Sequence, residues 1–309
     1  MKVHVGVKSD PIESRYSYEW LFDLMRGLGL HRMQMGTTYN TFTAGDGFFR
    51  QLRRSAEKRE IRISSVFSAH RELVGFGSGD PILEEATLRG WKRLIEVAVL
   101  VGAESTGSNG FFLLRDMPQL RQTGVATFLK NMKLLMPIAR AAGLKALTVE
   151  PMSSLYEYPS TPEDMGILFA ALAPFLAENP ATTVPLLLCS DISHGIADAD
   201  RKVVHDNWAL FEQEIPWMWE FHFKNTDAIF DATFGFGPEE RARGIVDLPR
   251  LKALIRGNAD RFPVKEITGY LELNGPKTGR DYTDAHLERM LVQSLEAIKA
   301  VFDGQEELQ

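Results

Sequence analysis

The chain has 309 residues, of which 44% are hydrophobic, and its formal net charge is −6. This balance supplies material for a large core and argues against nucleic acid or an anionic membrane surface as a partner, because both attract basic proteins. The single cysteine, Cys189, excludes an intrachain disulfide and favours a reducing compartment, and no apolar signal segment is visible, so we expect a soluble cytoplasmic protein.

Short apolar runs alternate with longer segments of helical periodicity along the chain. The predicted strands cover residues 3–8, 32–36, 62–68, 103–108, 146–151, 185–191, 220–225 and 267–273. The predicted helices lie near residues 17–28, 47–59, 81–102, 122–142, 161–178, 200–214, 248–259 and 283–303. Eight strands that each feed a helix predict the α/β class and one closed (β/α)8 TIM barrel over residues 1–309, with a frayed tail at 304–309. A doubly wound open sheet is the alternative.

Four consecutive predicted strands carry, at or near their carboxyl ends, a polar residue that can bind a metal ion. These residues are Glu150, Asp191, His222 and Glu272. Because parallel strands of a barrel end at the same rim, we expect the four side chains to meet there. Three carboxylates and one imidazole suit Mn²⁺ or Mg²⁺ and can accept Zn²⁺ or Co²⁺. The alternative is that each caps a helix or pairs with a neighbouring cation.

Further polar residues are expected at the same rim and are candidates for binding substrate. The histidines are His70 and His194, and the cations are Lys8, Arg71, Lys224 and Arg243. Several cations at one rim of an acidic protein favour an anionic substrate, with phosphate as the obvious group. The alternative is that each cation pairs with a neighbouring Asp or Glu. The sequence does not rank these cations. For His194 to reach the rim beside Asp191 the chain must turn, which Gly195 permits.

The motifs LTVEPM, SDISHG, EFHFKNTD and GYLELNG resemble those of the xylose-isomerase-like barrel superfamily, in the right order on strands five to eight. That superfamily includes ketose 3-epimerases, hydroxypyruvate isomerases and inosose dehydratases. The resemblance implies one divalent metal ion, most often Mn²⁺, held by the four rim residues. It also implies that Glu150 and Glu272 act as acid and base on opposite faces of the substrate. By the same resemblance His194 and Arg243 contact the substrate.

Other stretches, such as GVKSDPIESRYSYEWLFDLM and GPKTGRDYTD, are similar to those of tetrulose-phosphate racemases of bacterial erythritol catabolism. This narrower resemblance implies a small ketose phosphate as substrate and an isomerase that inverts one stereocentre. Homo-oligomers are common among superfamily members, but no feature of this sequence decides the oligomeric state.

Several other functions stay open on the sequence alone. An aldose–ketose isomerase, a dehydratase or a decarboxylase would use the same metal. The related abasic-site endonucleases need more metal ligands and a basic DNA track, which the net charge of −6 disfavours. A sugar sensor without activity would not need an acid and a base.

Overall fold

The computed structural model describes residues 1–36, 40–69, 75–274 and 284–303. Eight parallel strands close into a barrel in which each strand pairs with its neighbours in chain order, and β8 pairs with β1. The barrel strands are β1 (Lys2–Lys8), β2 (Arg32–Met35), β3 (Arg62–Ser68), β4 (Ser105–Asn109), β5 (Ala146–Glu150), β6 (Leu186–Asp191), β7 (Met218–Phe223) and β8 (Glu266–Leu271). The predicted (β/α)8 barrel is therefore confirmed, and the open sheet is excluded.

Eight main helices surround the barrel, one after each strand. They are α1 (Tyr18–Gly27), α2 (Asp46–Glu57), α3 (Pro81–Val101), α4 (Arg121–Ala141), α5 (Pro162–Glu178), α6 (Asn207–Glu214), α7 (Leu248–Gly257) and α8 (Leu287–Phe302). Two of these helices begin at a capping residue that is followed by proline, a signal that is visible in the sequence. Asp80 caps α3 by accepting a hydrogen bond from the Ile82 amide, and Thr161 forms a capping box with Asp164 before α5.

The sixth helix begins seven residues later than predicted, at Asn207 rather than near residue 200. The Asp206 side chain accepts hydrogen bonds from the Trp208 and Ala209 amides and so fixes the N-terminus there. The preceding segment Val203–His205 instead pairs with Ile196–Ala197 as a short antiparallel hairpin.

Two more short antiparallel pairs lie in the loops after the barrel strands. Phe111–Phe112 pairs with Glu157–Tyr158, and Asn225–Thr226 pairs with Thr233–Phe234. These pairs link or stiffen the loops at the carboxyl end of the barrel. No helix in the described ranges has the length and apolar composition needed to cross a bilayer.

Polar side chains occupy part of the barrel interior, beneath the carboxyl ends of the strands. Gln34, Ser65, Thr148 and Glu220 are all buried there. Ser65 Oγ donates to Glu220 Oε1 at 2.8 Å, and Thr148 Oγ1 donates to the same oxygen at 3.3 Å. Burial raises the pKa of Glu220 to about 7. These buried polar residues lie inside the barrel beneath the strand-end residues. The apolar core lies between the strands and the helices.

Candidate metal centre

The four strand-end residues come together at the carboxyl end of the barrel. Glu150 and Asp191 are the last residues of β5 and β6, His222 lies one residue before the end of β7, and Glu272 directly follows β8. One potential ligand atom from each lies within 4.8 Å of those of the other three. All four residues are at most 9% exposed. The register of the adjacent strands therefore brings these four side chains together at one point.

The His222 ring is oriented as a metal ligand would be. Its Nδ1 lies 3.0 Å from Glu150 Oε1, 2.8 Å from Glu272 Oε2 and 3.9 Å from Asp191 Oδ2. Its Nε2 lies 2.8 Å from Gln34 Oε1, an oxygen that only accepts hydrogen bonds. The Nε2 proton is donated to Gln34, so in the neutral ring Nδ1 presents its lone pair to the carboxylates, as a ligand of a metal ion bound between them would. Burial alone would lower the pKa of His222, but Cys189, Glu272 and Glu150 outweigh it and raise this pKa well above its usual value, so without a metal ion Nδ1 carries a proton and donates to the carboxylates.

The carboxylate oxygens also fit a cation. Asp191 Oδ2 and Glu272 Oε2 are buried and accept no hydrogen bond of satisfactory geometry from the described residues. The other oxygen of Asp191 accepts the Ser193 amide at 2.8 Å. An unsatisfied buried carboxylate oxygen is costly, and a divalent ion bound to it removes that cost. The donor set of three carboxylates and one imidazole therefore fits a divalent metal ion.

Two lysines adjoin the cluster and favour the ionised form of Glu272. Lys8, the last residue of β1, is buried, and its Nζ lies 2.9 Å from Glu272 Oε1 and 3.1 Å from Asp10 Oδ2. Lys224 Nζ lies 3.5 Å from Glu272 Oε2 and 3.6 Å from Asp191 Oδ2. Burial alone would raise the pKa of Glu272, but Lys224 and Lys8 outweigh it and hold this pKa well below its usual value.

The two lysines differ in their freedom to bind a substrate. The Lys8 side chain has no exposed surface and is fixed between two carboxylates at hydrogen-bond distance. The Lys224 side chain keeps 12% of its surface exposed, and its two ion-pair contacts are longer. Lys224 is therefore the better placed of the two to contact a substrate anion.

His194 lies next to Asp191, as expected. Its Nδ1 donates to the Pro151 carbonyl at 2.7 Å, and its Nε2 lies 3.5 Å from Asp191 Oδ2. The expected turn is present, since the His194 amide donates to the Asp191 carbonyl. Gly195 is required for a different reason from the predicted one. A Cβ at Gly195 would lie 2.2 Å from a ring atom of Phe230, so close packing excludes a side chain.

No contact among the described residues places the other predicted substrate-binding residues at the cluster. Arg243 is exposed on a short helix, Pro238–Arg243, and its guanidinium stacks 4.1 Å from the centre of the Phe234 ring. His70 and Arg71 lie outside the described residues.

Two residues of the site were missed at the sequence level. Asn109, the last residue of β4, donates from Nδ2 to Glu150 Oε2 at 3.1 Å. Gln34 on β2 holds His222. Both lie at or near strand ends, the same signal that identified the three acids and the histidine, but amides in short and weakly patterned strands drew no attention.

The fold is that of xylose isomerase-like barrels, as comparison with solved structures shows. A Rhodospirillum rubrum protein assigned as a xylose isomerase is 21% identical, with a TM-score of 0.76 over 97% of this chain and 99% of that one. D-Psicose 3-epimerase of Clostridium cellulolyticum is 12% identical, with a TM-score of 0.69 over 98% of this chain and 99% of the other. The Escherichia coli 3-keto-D-glucoside 4-epimerase is 14% identical, with a TM-score of 0.61 over 96% and 100%. No protein-family model and no curated protein matches the chain.

Proposed function

We propose that this protein is a divalent-metal-dependent racemase of a small ketose phosphate, interconverting L- and D-erythrulose phosphate (3-tetrulose 4-phosphate) in erythritol catabolism. One observation carries the proposal. Two buried glutamates, Glu150 and Glu272, each direct one oxygen at His222 Nδ1 while a separate donor holds the other oxygen. The fold shared with sugar epimerases such as D-psicose 3-epimerase supports the same reaction class.

The residues that would hold the metal ion are Glu150, Asp191, His222 and Glu272. We expect Mn²⁺, although Mg²⁺, Co²⁺ and Zn²⁺ are compatible with the donor set. When bound, the ion supplies Lewis-acid polarisation of the substrate carbonyl and stabilises negative charge on the enediolate oxygen.

The two glutamates move the protons. The carbon next to the carbonyl is the only stereocentre of erythrulose phosphate. One glutamate, as carboxylate, removes the proton from that carbon. The other must first take up a proton, against the lysine and histidine charges that favour its ionised form, and returns it to the opposite face. The proton count balances, and the configuration is inverted. The Asn109 amide and the Lys8 ammonium hold the outward oxygens of Glu150 and Glu272, so both carboxyl groups keep a fixed direction.

Lys224 and His194 would bind the rest of the substrate. The Lys224 ammonium is the partly exposed cation beside the cluster, so it suits the phosphate. The His194 ring is fixed by the Pro151 carbonyl, which leaves Nε2 directed toward Asp191 and the substrate space beside it. Lys224 and His194 are therefore already in place at the cluster before a charged substrate binds.

The test is racemisation in D₂O. L-Erythrulose phosphate is incubated with the protein and Mn²⁺, or with EDTA, and followed by polarimetry and proton NMR. The proposal predicts metal-dependent loss of optical rotation with deuterium entering only at the stereocentre. Deuterium at another carbon together with a shifted carbonyl group would identify an aldose–ketose isomerase instead, and loss of water or CO₂ would identify a dehydratase or decarboxylase. No change with any divalent ion would refute the substrate.

A further inference from the structure

A second cavity lies at the amino-terminal end of the barrel, opposite the candidate metal centre. Its volume is about 390 Å³. Lys2 at the start of β1 lines it, whereas Lys8 at the end of β1 contacts the metal-centre acids. Six residue steps along a strand separate these lysines by about 20 Å. The cavity, called here the basal cavity, is therefore a separate site.

Basic side chains dominate the lining of the basal cavity. They are Lys2, His4, His31, Arg32, Lys252 and Arg256. Burial lowers the pKa of His4, so this imidazole is neutral near pH 7. Two lysines and two arginines thus face Asp303, which is the one acid among the described lining residues. Such a concentration of positive charge is unexpected in a chain whose net charge is −6.

Contacts within the protein use only part of this charge. Lys252 Nζ donates to the Val301 carbonyl at 2.5 Å, which is the usual role of a cation near a helix C-terminus. Asp303 lies 3.7 Å from Lys299, so it is already paired. Within the described part of the chain, no hydrogen bond or ion pair of the Lys2 or Arg256 side chain is found.

Arg32 is held in place inside the cavity. Its side chain is 27% exposed, its Nη1 donates to Thr268 Oγ1 at 3.2 Å, and Glu266 is 4.0 Å away. Glu266 makes its shorter contact with His4, at 2.8 Å. Arg32 therefore keeps donors free, and its planar fork suits the geometry of phosphate oxygens.

We propose that the basal cavity binds a small phosphorylated metabolite through Lys2, Arg32 and Arg256. Its volume lies at the lower end of the range for small-molecule sites, which favours a small ligand. This site is independent of the reaction at the metal centre and needs no metal ion.

The test measures binding of inorganic phosphate to the metal-loaded protein by isothermal titration calorimetry at low ionic strength, where screening is weakest. The test variant is Lys2→Gln with Arg256→Gln, two exposed positions whose replacement leaves packing unchanged. The matched control is Arg54→Gln with Lys92→Gln, which removes the same charge from the exposed surface of α2 and α3. Circular dichroism and melting confirm that both variants fold.

The proposal predicts that the Lys2/Arg256 variant binds phosphate at least tenfold more weakly and that the control binds it as the parent does. A third variant, Lys224→Gln, should retain this binding, because Lys224 lies at the metal centre. Equal binding by the Lys2/Arg256 variant and the parent would overturn the proposal. Loss of binding in Lys224→Gln alone, or no binding by the parent up to about 10 mM phosphate, would overturn it as well.

Discussion

Replacing Gln34 by leucine should weaken metal binding without touching a metal ligand. Gln34 Oε1 is the acceptor for His222 Nε2, at 2.8 Å and in a buried setting. Without it, the remaining neighbour is Cys189 Sγ at 3.3 Å. Burial raises the pKa of Cys189 to about 12, so this group is a neutral thiol and a weak acceptor. The ring then loses the contact that fixes its tautomer.

The expected effect of Gln34→Leu is a tenfold to hundredfold increase in the Kd for Mn²⁺, or about 1.4–2.7 kcal/mol. Gln34→Glu is the matched control, because a carboxylate at the same place still accepts the Nε2 proton. We expect its Kd to stay within about threefold of the parent value or to fall. Titration of each protein with Mn²⁺, followed by electron paramagnetic resonance of the free ion, measures Kd directly.

The effect of each substitution on folding must be measured separately from its effect on metal binding. Gln34 also donates from Nε2 to Ser65 Oγ at 3.5 Å, a long contact whose loss costs little. Melting temperatures are therefore measured in EDTA for both variants. If folded Gln34→Leu protein binds Mn²⁺ as tightly as the parent, then Gln34 does not orient His222 and the description of the ring is wrong.

Three other predictions concern the two glutamates of the metal centre, the neighbouring Lys224, and the buried Glu214 at the end of α6. Glu150→Gln and Glu272→Gln should each reduce kcat for racemisation by at least about 100-fold in a polarimetric assay, and retained activity in both would refute the two-base mechanism. Lys224→Gln should raise KM for erythrulose phosphate at least about tenfold and leave KM for unphosphorylated erythrulose little changed, and an equal effect on both substrates would exclude a phosphate contact. Burial raises the pKa of Glu214 to about 8, so the folded protein holds a proton that the unfolded chain releases, and wild-type stability falls as pH rises from about 4.5 to 8. The loss is roughly 5 kcal/mol at most; Glu214→Gln should therefore raise the melting temperature more at pH 8.5 than at pH 5, and an equal effect at both pH values would contradict this assignment.

The barrel could be predicted from the sequence because its signals are local. Most strands are short apolar runs, with β2 and β4 as weakly patterned exceptions, and proline with a capping residue marks where α3 and α5 begin. The start of α6 could not be placed, because residues 203–205 pair with 196–197, a contact that local periodicity does not encode. Chain order and parallel pairing then place the four strand-end residues at one rim.

The contacts that surround those four residues could not be predicted from local sequence signals. The contact of Gln34 with His222 spans 188 positions and depends on the closure of the barrel. The contact of Phe230 with Gly195 depends on how two loops pack. Burial of Glu214 and Glu220 was also missed, because a charged residue in an apolar segment is normally expected to face solvent.

The most direct test of the account is the stoichiometry and location of metal binding. Electron paramagnetic resonance of the wild-type protein titrated with Mn²⁺ should show one bound ion per chain. Asp191→Asn, which keeps the oxygen that accepts the Ser193 amide but removes the charge, should weaken binding at least about 100-fold. Glu85→Gln, which removes the same charge from the exposed surface of α3, should leave Mn²⁺ binding unchanged. Binding that is absent in the wild type, or unchanged in Asp191→Asn, would contradict the assignment of this cluster as the metal centre.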